Sequence, residues 1–187
     1  NKIIAGEEGG MIAFKDSNRA TLAKSIRSLG FTPAHDFNHI PRGVNARMSN
    51  AHAKLILPSL TDYISNKWRR RQIEDIYSQE IPIEYQIAQT RDAVWVYDLI
   101  CPRGIDTARL VNGLNTAGVN NARLAFKPMH LQREFCNHTI ATDHEVWSCA
   151  TEMSERIIYL PVDPRMLDGE VTTAARTLVA MLAPINQ

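Results

Sequence analysis

Several groups of side chains in this 187-residue chain could do chemistry, and each implies a different reaction. Lys2 stands in the opening stretch NKIIAGEEGGMIAF, just ahead of an acid and double-glycine turn, Glu7 to Gly10. A lysine amine attacks a carbonyl only when neutral, so a nucleophilic role needs desolvation or nearby positive charge to lower its pKa. Gly9 and Gly10 would allow close backbone approach beside it. His35 and His39, and the set Cys136, His138, His144 and Cys149, carry metal-ligand side chains. Zinc signatures use tight pairs such as C-x-x-C. Neither group has them, and no metal site is expected. No serine lies in a G-x-S-x-G setting, which argues against a nucleophilic triad. The run Lys67-Trp68-Arg69-Arg70-Arg71 could meet phosphates, but Arg70 and Arg71 stand four residues before Glu74 and Asp75, where opposite charges pair along a helix. A solvated, self-neutralised helix face is expected there, with no nucleic-acid partner.

Composition narrows the setting. With 44% hydrophobic and 22% charged residues the chain can bury a core, which argues against disorder. A formal net charge of +1 gives no global pull toward nucleic acid or anionic membrane, so a charged ligand must be held locally. No apolar run approaches the roughly 20 residues that cross a bilayer. Three cysteines, Cys101, Cys136 and Cys149, are too few for a disulfide framework and suit a reducing compartment. The expected address is cytoplasmic, with no membrane partner.

The elements that must position these residues follow from periodicity. Met11 to Phe14 reads as a short strand, followed by a helix capped by Asp16 or Ser17, with Leu22, Ile26 and Leu29 on one face and Gly30 at its end. Residues 31–49 have no helical period and read as an ordered surface loop. From Ser49 to about Gln79 one long helix is expected, with an apolar stripe from Leu55 to Tyr77 and a kink at Pro58. EIPIEYQIAQTRD reads as a linker. Beyond it come strand 93–100, helix 106–117 closed by Gly118, strand 122–126, helix 144–155, strand 157–160, and a last helix through Val171, Ala175, Leu178 and Leu182. The fold class is α/β. Residues 83–187 form a small carboxyl-terminal α/β layer domain, while residues 1–82 offer too little sheet to enclose a core and read as part of a larger domain plus an interdomain helix.

Five segments in order carry a resemblance: NKIIAGEEGGMIAF, the helix ending SIRSLG, GVNARMSNAHA, FKPMHLQ and RIIYLPVDPRML. Together they resemble the DegT/StrS type of pyridoxal-phosphate sugar aminotransferases, over essentially the whole chain. The resemblance implies the trailing part of the large domain and the small domain of a fold-type I pyridoxal-phosphate transferase. Lys2 falls on the family's Schiff-base lysine, the catalytic and cofactor-binding residue; relatives that dehydrate carry histidine there. Asn45 and Arg47 fall on the segment that reaches the neighbouring subunit's site, where the asparagine helps hold the cofactor phosphate, which implies a homodimer. His130 falls on a histidine lining the sugar-nucleotide pocket. Glu7 stands where the family's turn carries a glycine.

The family's phosphate-binding helix start, ring-stacking aromatic and pyridine-pairing acid all precede the lysine. The chain is therefore expected to be the carboxyl-terminal half of an enzyme about twice its length, inactive alone. The reaction implied is amino transfer from a donor such as glutamate to a nucleotide-linked keto-sugar, with pyridoxal 5'-phosphate as cofactor. The alternative is a non-catalytic binding or assembly module of the same fold.

Overall fold

The computed structural model describes residues 2–32, 34, 37–88, 91–135 and 144–183. His35, Cys136 and His138 lie outside them. The chain divides into two compact units, Lys2–Tyr63 and Ile64–Gln187.

In the first unit, Asp16 accepts hydrogen bonds from the Asn18 and Arg19 backbone N–H groups and so starts helix α1 (Ser17–Arg27). Ser49 does the same for helix α2 (Asn50–Thr61), accepting from the His52 N–H. Between them the chain turns back on α1: the Val44 and Ala46 N–H groups donate to the Ile26 and Arg27 carbonyls, and the Leu29 N–H donates to Val44. This turn needs two glycines. A Cβ at Gly43 would lie 2.0 Å from the Gly30 nitrogen, and one at Gly30 would lie 2.2 Å from the Pro41 carbonyl oxygen. The loop read from sequence is therefore ordered by backbone pairing.

The expected strand at residues 11–14 does not form. It pairs with no segment among the described residues, and Met11 and Ile12 are 84% and 76% exposed. Alternation alone cannot make a strand without a neighbour to bond its backbone. Neither α1 nor α2 buries a side chain, so their apolar faces, Leu22 and Ile26 on one and Leu55 and Leu60 on the other, stay open.

The second unit has a closed core. Helix α3 (Tyr63–Glu80) follows α2 after a break at Asp62, four residues beyond Pro58, so the single long helix read from sequence is two. Only the later part of its stripe is covered: Ile73 and Tyr77 are buried, while Ile64 and Trp68 are exposed. Strands β1 (Tyr97–Ile100), β2 (Arg123–Leu124) and β3 (Ile157–Leu160) form an antiparallel sheet in the order β1-β3-β2. Its register sets Tyr97 opposite Leu160 and Leu99 opposite Ile158, so one face is uniformly apolar. Helix α4 (Thr107–Thr116), started by the Asp106 side chain, and helix α6 (Asp168–Leu182) pack on each other and bring Leu114, Val171 and Leu178 into that core. Helix α5 (His144–Arg156) runs directly into β3.

Two sequence readings are corrected here. Residues 81–88 are not a linker: Ile81 and Tyr85 are buried, and the Gln86 amide donates to the Ser78 and Ile81 carbonyls at 2.8 and 2.6 Å, closing the carboxyl end of α3. Nor is the basic run a solvated face. Arg70 is buried and donates to the Val94 and Trp95 carbonyls, both at 3.2 Å. Glu74, 3% exposed, pairs with Arg71 and with Arg91, which reaches on to Asp98 at 2.8 Å. Arg69 meets the Met166 carbonyl and Asp168, and Lys67 meets Asp92. These cations are committed within the unit, stitching α3 to the segment entering β1 and to the start of α6.

Candidate active site

Lys2 is exposed, and the segment after it is held against α2. The Ser59 hydroxyl bonds both the Ala5 N–H and the Ala5 carbonyl at 3.2 Å. Gly6 passes so close that a Cβ there would sit 2.2 Å from Ile56 Cγ1, and one at Gly9 would sit 2.4 Å from Met48 Cε. The segment thus runs along α2 from Ser59 back past Ile56 to Met48, just ahead of the helix start. Glu7 has φ +62°, in the left-handed region that glycine occupies freely. The glutamate at the family's glycine position is therefore held in glycine's conformation.

Asn45 and Arg47 lie on the strand-like return beside α1, where Asn45 bridges Ser28 through the backbone. The Arg47 Nε donates to Asn45 Oδ1 at 3.2 Å, and both side chains are exposed. Asn45 does not cap α2, since Ser49 fills that role. Its side chain is free of helix duty and is tied to the guanidinium instead. The two Nη groups of Arg47 bond to no described residue.

His130 belongs to the second unit, on a single 3-10 turn, Met129–Leu131, that follows Pro128. Its Nε2 lies 2.9 Å from Thr151 Oγ1, and its ring stacks on Trp147 at 5.6 Å with planes 18° apart. Both partners come from α5, four residues apart on one helix face. Sequence reading missed them. A tryptophan and a threonine at helical spacing look like ordinary core residues until the turn carrying the histidine is laid across them.

Two further features of the second unit escaped the sequence. Trp95 stacks on Phe126 at 5.7 Å, Tyr159 leans against both, and the Arg123 guanidinium lies 5.1 Å from the Trp95 ring centre. This cluster lies with Asp98 and Tyr159 on the side of the sheet away from the core. A groove of about 530 Å³ between the end of α4 and the start of α6 is lined by Gly118, Asn120, Asp163, Arg165 and Thr173, among others. Its charged groups are engaged locally: Glu170 accepts from the Leu167 N–H, and Arg165 chelates Asp163 through both carboxylate oxygens, which with nearby Arg70 holds that carboxyl down at about 2. The groove includes none of Lys2, Asn45, Arg47 or His130. Among the described residues no group of three or more His, Cys, Asp or Glu side chains converges as metal ligands would, and no helix is long and apolar enough to cross a membrane.

Comparison with known proteins gives a consistent likeness. A family model described as the DegT/DnrJ/EryC1/StrS aminotransferase family matches residues 1–179. A GDP-perosamine synthase of Caulobacter vibrioides is 28% identical over 152 residues, which is 76% of this chain and 40% of that protein. The chain thus spans about two fifths of that relative's length. Among solved structures, Spr1654 of Streptococcus pneumoniae in its PLP-form superposes with a TM-score of 0.78 at 20% identity, covering 92% of this chain and 45% of that one. S. venezuelae DesV gives 0.77 at 17% identity, covering 89% and 45%. These two likenesses are of fold.

Proposed function

Because the chain belongs to the DegT/DnrJ/EryC1/StrS aminotransferase family, we propose that it is the part, from the cofactor-binding lysine onward, of a sugar aminotransferase using pyridoxal phosphate. The parent enzyme moves an amino group from a donor such as glutamate to a nucleotide-linked keto-sugar, and the name of the Caulobacter relative favours a GDP-linked sugar. One observation supports this most: the family match runs from residue 1 to residue 179, and the turn after Lys2 packs on the helix that follows the Asn45–Arg47 segment.

The donor set present fits the cofactor. Lys2 offers a primary amine for an aldehyde, and the Asn45 amide with the Arg47 guanidinium offers planar donors for a phosphate. Pyridoxal phosphate, when bound, supplies an electron sink that makes the proton on the amino-bearing carbon removable. The chain's own residues then have separate tasks. With the cofactor bound, the Lys2 amine would be the base that takes up that proton. Asn45 holds Arg47 by its Nε, so that the guanidinium presents its Nη edge to phosphate oxygens of the neighbouring subunit's site in a homodimer. His130 orients the sugar nucleotide. On this reading residues 1–82 belong to the cofactor-bearing domain and interdomain helix, and residues 83–187 are the small domain. The 187-residue chain by itself does not turn over, because the preorganised groups that carry most of the rate stand ahead of Lys2.

The test is transfer from L-glutamate to a GDP-linked keto-sugar, followed by 2-oxoglutarate release. In the parent enzyme Lys2→Ala is expected to lower the rate by at least about 10²–10⁴-fold, and the 187-residue chain alone to release none. Undiminished transfer by Lys2→Ala would overturn the assignment.

A second reading, an assembly module without catalysis, draws on the open apolar surface of residues 2–63. Retention of pyridoxal phosphate by the parent protein through gel filtration would exclude it.

A further inference from the structure

The Thr151 hydroxyl has one proton and two neighbours. Its Oγ1 donates to the Trp147 carbonyl at 3.1 Å and lies 2.9 Å from His130 Nε2. With the proton spent on the carbonyl, Oγ1 can only accept from the ring, which puts a hydrogen on Nε2 and leaves a lone pair on Nδ1. The reverse arrangement, hydroxyl donating to Nε2, replaces two bonds by one. It also places a proton on Nδ1, which bonds to no described residue. Stacking on Trp147 fixes the ring plane, and a flip within that plane would set Cε1 in place of Nε2 against Oγ1, so neither a rotation nor a flip improves the count.

We infer that Thr151 is a positioning residue: with Trp147 it holds His130 as the Nε2–H tautomer and presents Nδ1 as a hydrogen-bond acceptor to a ligand. A neutral acceptor suits a hydroxyl donor, the group a sugar carries in greatest number. A histidine in the other tautomer would offer an N–H and select carbonyls or phosphate instead. The ligand-facing half of this inference rests on the placement of His130 in the sugar-nucleotide pocket; the tautomer does not.

Nitrogen-15 NMR of the histidine rings in the 187-residue chain at about pH 8.5, where an ordinary imidazole is neutral, reads the tautomer with no cofactor or substrate present. His130 is expected to show a protonated Nε2 and an unprotonated Nδ1. Thr151→Ser should keep that signature, and Thr151→Val should lose the bias several-fold. A wild-type ring protonated at Nδ1 overturns the inference, as does an unchanged ratio in a folded Thr151→Val chain. If the valine variant does not fold, the wild-type and serine spectra decide. In the parent enzyme Thr151→Val is expected to raise KM for the GDP-linked keto-sugar about 5-fold, the worth of one hydrogen bond, with recovery in Thr151→Ser. An unmoved KM would overturn the ligand-facing role. A parent enzyme with no transfer at all would defeat the aminotransferase reading and leave the tautomer standing.

Discussion

Glu7, in the turn that follows Lys2, holds a φ of +62°, a conformation that costs an ordinary residue about 1–2 kcal/mol. Glu7→Gly removes that strain and adds unfolded-state entropy of about 0.5–1 kcal/mol, so it is expected to be neutral or stabilising by up to about 1 kcal/mol in urea unfolding. Loss of stability would show that the glutamate side chain contributes something its contacts do not reveal. Gly43 is the opposite case: its missing Cβ is a backbone clearance of 2.0 Å. Gly43→Ala should break the return of residues 38–46 along α1, read as loss of amide protection at Val44 and Ala46. Sequence made the candidate residues legible singly. Lys2, Asn45, Arg47 and His130 were each named from motifs, but the pairing of Arg47 with Asn45 and the clasp of Thr151 and Trp147 on His130 depend on backbone turns that no spacing rule encodes.

Among elements, α3 is held by charge as much as by apolar packing. Glu74 is buried between Arg71 and Arg91, so Glu74→Ala leaves two partly desolvated guanidinium groups without their shared carboxylate. A loss of about 3–5 kcal/mol is expected, visible as a lower denaturation midpoint at unchanged slope. A change below 1 kcal/mol would mean that water replaces the carboxylate. The helix starts near Asp16, Ser49 and Asp106, and the limits of β3, could be read directly because each uses a local signal. The buried network could not, since Arg and Glu at helical spacing look the same on a wet face and a dry one. The strand at 11–14 failed for a related reason: its pattern is local, but its partner is not.

At the scale of the molecule, the two units differ in what they bury. Residues 64–187 enclose Cys101 and Tyr77; burial pushes the thiol up to about 11 and the Tyr77 phenol up as well. Both raised groups favour the folded state while protonated. That contribution is whole below the unfolded thiol's pKa of about 8.5 and is lost as pH climbs toward 11, so stability should fall across that window. Thiol labelling at pH 8 should mark exposed Cys149 and spare Cys101 until denaturant is added. Residues 2–63 bury little, with Phe37 at 77% and Ile40 at 81% exposure. The 187-residue chain is therefore expected to self-associate in sedimentation velocity, less so with Ile40→Lys; a monomer at all concentrations would contradict this. That open surface was legible as sheet too sparse for a core, and the strands and helices beyond residue 93 from their alternation, whereas the membership of α3 in the second unit was not. Everything functional turns on the amine at Lys2. Borohydride reduction of the parent enzyme with pyridoxal phosphate, followed by peptide mass mapping, should place a near-stoichiometric pyridoxyl mark on Lys2. A Lys2 marked no more than Lys15 or Lys54 would contradict its role.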